Sequence, residues 1–84
     1  MASLDEIITE IQASKKAYED AQQVLVAAAK GAEEGAQAMA AMGVEDKAEM
    51  LENLKADLDK VSEATTSIAD ALDTAVSNAE AIKG

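Results

Sequence analysis

The residues best placed to do chemistry in this chain are carboxylates. Glu45, Glu49 and Glu52 follow one another at steps of four and three, so they share one side of a helix. Such a side can attract a hard cation. Metal sites inside helical bundles, however, pair inward-facing Glu with a His three residues on, and the chain has no His. Asp57, Leu58 and Asp59 match the opening of a calcium loop, but Val61 and Ser62 stand where that loop requires an oxygen ligand and a Gly. Both patterns therefore read as a solvated acidic face, and neither a metal nor a cofactor is expected. Ser14, Tyr18 and Thr65 carry hydroxyls, yet no imidazole or thiol exists to activate them. No catalytic residue is assigned, and the expectation is a protein that is not an enzyme.

Charge narrows the partners. There are 17 acidic residues against 7 basic ones, a net charge of -10, and every basic residue is Lys. Phosphate and base-edge recognition rests on clustered Lys and Arg, so nucleic acid is excluded as a partner, and an anionic membrane surface with it. The run without charge from Gly35 to Val44 is 10 residues long, about half of what a membrane-spanning helix needs. The N-terminal residues show no basic stretch leading into an apolar one, so a cytoplasmic protein is expected, with non-classical export compatible with the composition.

The elements that must position these side chains are helical. Pro is absent, and the four Gly are the only punctuation. Ser3 followed by Glu6 forms a capping box with acids in the first turn. From there Leu4, Ile7, Ile11, Ser14, Tyr18, Ala21, Leu25, Ala28, Ala32, Gly35, Met39 and Met42 alternate at steps of three and four, the spacing of a helical seam. Gly43 suits the left-handed residue that ends a helix, with Val44 able to pack back on Met39. A second seam follows through Val44, Leu51, Leu54, Leu58, Val61, Thr65, Ile68, Leu72, Ala75, Ala79 and Ile82, with steps of three and four once past the turn. The sequence thus predicts an all-α antiparallel two-helix hairpin as one domain over residues 1–84, with helix one at about 4–42, a turn at 43–44 and helix two at about 45–82. The alternative is a break of helix one at Gly31 or Gly35, giving three helices.

The two seams share a register. Residues whose numbers add to about 86 face each other about Gly43, and large side chains then meet small ones: Ala32 faces Leu54, Gly35 faces Leu51, Ala28 faces Leu58. The predicted core and interface is Leu4, Ile7, Ile11, Tyr18, Leu25, Met39, Leu51, Leu54, Leu58, Val61, Ile68, Leu72 and Ile82. Further apolar residues flank it: Ile8, Val24, Val26, Ala29 and Ala36 on helix one, and Ala48, Met50, Ala64, Ala69, Ala71 and Val76 on helix two. One two-helix layer cannot cover so wide an apolar arc, so the hairpin is expected to pair with a second copy into a four-helix bundle, or with the helices of another protein.

A hairpin of this length, acidic, without Cys and turning at a central Gly, resembles the WXG100 (ESX-type) proteins of actinobacteria and their relatives. Ala41-Met42-Gly43 occupies the place of that family's Trp-x-Gly turn, with Ala for Trp, and the Tyr-based signal that follows helix two in the family has no counterpart beyond Tyr18. The stretch Ala38 to Val44 also looks like the turn of small Ala-rich actinobacterial hairpins. The resemblance implies paired hairpins that accompany secreted effectors. The expected function is accordingly a protein–protein interaction module, acting as adaptor, chaperone or targeting partner of a larger helical or secreted protein. The alternative is a structural subunit of a phage or cell-surface assembly.

Overall fold

The computed structural model describes residues 3–84. They form two helices, α1 (Leu4–Ala41) and α2 (Glu45–Lys83), laid antiparallel in a hairpin whose Cα extents are 62 × 16 × 14 Å. Among the described residues there is no strand. Helix α1 runs through Gly31 and Gly35 without a break. A single Gly costs only about 1 kcal/mol inside a helix, less than the packing on either side of it returns.

Each helix end follows from local chemistry. The Ser3 side chain accepts a hydrogen bond from the Glu6 amide at 3.1 Å, which satisfies one of the donors left free at a helix start. At the far end the Val44 amide donates to the Met39 carbonyl at 2.8 Å and the Gly43 amide to Ala40 at 3.0 Å. This crossed pair is the Schellman arrangement, and it requires a left-handed residue, which Gly43 supplies with φ 81°. Helix α2 starts on Val44, whose side chain caps nothing; Glu45 and Asp46 in its first turn answer the positive end of the helix by charge alone.

The line of contact between the helices is set by residues that alternate at four and three. On α1 the covered or half-covered side chains are Leu4, Ile8, Ile11, Lys15, Gln22, Leu25, Ala29, Ala32, Ala36 and Met39. On α2 they are Ala48, Leu51, Lys55, Leu58, Ser62, Thr65, Ala69, Leu72, Val76 and Ala79, with Asp59, Thr66 and Ala75 half-covered beside that line. Labelling each heptad so that these lines are positions a and d, the d line carries Leu4, Ile11, Leu25, Ala32, Met39, Leu51, Leu58, Thr65, Leu72 and Ala79, all expected on the seam. The a line carries Ile8, Lys15, Gln22, Ala29 and Ala36, then Ala48, Lys55, Ser62, Ala69, Val76 and Lys83.

Here the structure corrects the sequence reading. Ile7, Leu54, Val61, Ile68 and Ile82, expected in the core, lie at position g on the outer side of the d line and are exposed, as is Tyr18 on the d line itself. The contact is rotated by one position. Ile8 is the single large apolar residue in the buried core; the rest is Ala29, Ala32, Ala36, Ala48, Ala69, Ala79 and Thr65. Two things favour this rotation. Alanines at position a let the helices approach closely, and lysines at position a reach carboxylates across the seam, as described below. The register itself is close to that predicted, since a Cβ on Gly35 would stand 3.3 Å from Leu51 Cδ1.

Candidate interaction surface

Rotation of the seam leaves the hairpin with two unlike faces. In an antiparallel pair the g lines of both helices lie on one side and the e lines on the other. The first face combines d and g. Of its 24 positions from Leu4 to Ile82, only Lys47 is charged, so nothing along most of its length would resist contact with another apolar surface. Leu54, Val61 and Ile68 stand 46%, 49% and 41% exposed there. Ile7, Tyr18, Met42, Val44 and Ile82 share the face, which thereby holds eight of the eleven exposed large apolar residues. Monomeric proteins usually scatter such residues singly; here they gather on one side of the hairpin.

The opposite face is acidic. Position e holds Asp5, Glu19, Glu33, Glu45, Glu52, Asp59, Asp73 and Glu80. Lysines from the a line bend towards it: Lys15 Nζ lies 2.9 Å from Asp73 and Lys83 Nζ 2.6 Å from Asp5, both across the hairpin, while Lys55 pairs with Asp59 on its own helix at 2.9 Å. Each of these ammonium groups is held above the ordinary lysine pKa, first by its hydrogen bond to the carboxylate and then by the attraction of that charge. Charge therefore gathers on one side and most of the exposed apolar surface on the other.

The seam itself is less apolar than the open face. Among the described residues Ile8 and Val76 are the only large apolar side chains at position a, against Ile7, Met42, Leu54, Val61, Ile68 and Ile82 at position g. Thr65 is buried, and its hydroxyl donates to the Val61 carbonyl at 2.8 Å, one turn back, as a helical Thr does. Leu4, Ile11, Leu25, Met39, Leu51, Leu58 and Leu72 sit half-covered on the d line, between seam and open face, and touch both. Missing from the predicted core are Ile8 and the alanines of position a. Their signal was present, since they keep the same three-four spacing, but a spacing rule cannot choose between two lines that share a neighbour.

The candidate chemistry residues gather into nothing more. Glu45, Glu49 and Glu52 line a surface depression with Ala40 and Ala48, and Asp5, Glu6, Thr9 and Glu10 line another. Among the described residues no group of three or more His, Cys, Asp or Glu is placed to hold a metal ion, and no helix is long and apolar enough to cross a membrane. No family model, no curated protein and no solved structure matches the chain.

Proposed function

We propose that this hairpin is a non-enzymatic protein–protein interaction module that contributes two helices to a four-helix bundle, the other two coming from a second copy or from a helical partner protein. The observation that carries this reading is the d/g face, uncharged over its whole length but for Lys47 and open along one side of both helices. An adaptor, chaperone or targeting role for a larger helical protein follows from such a face. The WXG100 likeness makes a secreted effector the first partner to try, with the hairpin itself starting in the cytoplasm.

The chain's two unlike faces support a closed bundle over a growing assembly. A subunit that polymerises needs two docking surfaces, and here the second face carries like charge. The test is co-expression with a helical protein encoded beside this one, followed by sizing of the purified material. A complex that survives Glu63→Lys and is lost with Val61→Asp supports the reading. A chain that neither self-associates nor binds any such partner, while keeping its helices, would remove it.

A further inference from the structure

Resting on the reading above, we propose that the occupant of the d/g face is a second copy of this chain, related by a two-fold axis parallel to the helices, so that α2 of each copy packs on α1 of the other and both turns lie at the same end. Area is the first argument. Two separate hairpins expose twice 5858 Å², whereas a compact protein of that combined mass exposes about 7,900 Å². Pairing can thus bury up to about 3,900 Å² in total, well inside the range of obligate homodimers. The chain as a single hairpin has the surface of half a protein.

Shape decides for a second copy. The g line of α1 is small through its middle (Ala21, Ala28, Gly35), and the g line of α2 is large at the same heights (Leu54, Val61, Ile68). A ridge and a groove thus stand side by side on one face. A two-fold interface joins a surface to itself, so it must contain both halves of every contact. Turning one hairpin about an axis parallel to the helices places each ridge in the other copy's groove. Turning it about the perpendicular axis would set ridge on ridge and groove on groove. The first arrangement also recovers the register in which residue numbers add to about 86, with Leu54 over Ala32 and Val61 over Leu25 of the other copy. Within the hairpin itself Leu54 and Val61 remain exposed, so their side chains are open to that contact.

Charge agrees with it. Face-to-face pairing turns both acidic e lines outward, to opposite sides of the bundle, and the one charged residue of the d/g face, Lys47, lies near the turn at the edge of the contact. Every neighbouring pair of helices is then antiparallel, the arrangement of up-down-up-down bundles.

The chain has no Cys, so a single Asp46→Cys variant carries one spin label per copy beside the turn. Light scattering should give twice the 8.7 kDa of the chain, and dipolar spectroscopy a label separation of about 20 to 30 Å, from helix spacings of 8–10 Å plus the label arms. A separation near the 62 Å length of the hairpin, or a mass of one chain at all concentrations, overturns the proposal. Ala28→Glu puts a charge in the groove at a site exposed in the hairpin, while Gln23→Glu adds the same charge on the outer side. The first should halve the mass, or make helix loss dependent on concentration; the second should do neither, and equal behaviour of the two overturns the proposal. A chain that stays monomeric alone yet forms a complex with a helical partner defeats this proposal and leaves the interaction-module reading standing.

Discussion

Glycine does three different things in this hairpin, and substitution separates them. Gly43 has φ 81°, a conformation that strains any residue with a Cβ. Gly31 lies inside α1 with nothing within 4 Å of where a Cβ would be, and Gly35 is pressed by Leu51. Gly43→Ala should therefore destabilise by about 1 kcal/mol, and Gly31→Ala should stabilise by about 0.5–1 kcal/mol through helix propensity. Thermal unfolding of the two variants checks both signs at once. Lysine gives a second expectation at this scale. Lys15, Lys55 and Lys83 have raised pKa values, so the stability their pairs contribute is complete below the ordinary lysine pKa of about 10.4 and is lost as pH rises through the raised values. Melting temperature should fall in that alkaline range, by less in Lys15→Gln, which lacks the pair with Asp73. The pairs are exposed, so the fall is small.

At the scale of the helices, the sequence carried the two elements, their ends and nearly their register. Ser3 with Glu6 announced the start of α1, and the unbroken spacing through Gly31 and Gly35 outweighed the cost of both glycines. The choice of line was not legible. The d line from Leu4 to Ala79 has apolar neighbours on both sides, and the larger of these, Leu54, Val61 and Ile68, looked like core because size is the usual sign of burial. Within one hairpin the smaller line won. Alanine at position a closes the distance between helices, and lysine there keeps its charge in contact with Asp73 and Asp5. The d line is thus the center of the whole apolar arc, and a charge on it should do the most damage. Leu58→Asp is expected to cost about 3 kcal/mol or more by burying an unpaired carboxylate. Glu52→Lys, on the acidic face, should change stability by less than about 0.5 kcal/mol. Chemical denaturation compares them.

For the molecule as a whole, shape and charge act together. A net charge of -10 on a rod 62 Å long repels a second copy. Salt shortens the range of that repulsion to about 10 Å at 0.1 M, while leaving apolar contact intact. Association and helix stability should both rise between about 0.01 and 0.15 M NaCl, as read from mass and melting temperature in one titration. An acidic chain whose self-contact depended on ion pairs would weaken over the same range. The Gly43 turn has a consequence in time as well as in space. Residues beside the turn are separated by a few positions of chain, whereas Asp5 and Lys83 are separated by nearly all of it, and closing a loop costs more as the loop lengthens. Pairing of the two helices should start at the turn and travel towards the open end, as a zip does. Gly43→Ala should then slow folding and leave the unfolding rate nearly unchanged, whereas a truncation of the buried Ile8 near the open end, Ile8→Ala, should leave folding alone and hasten unfolding.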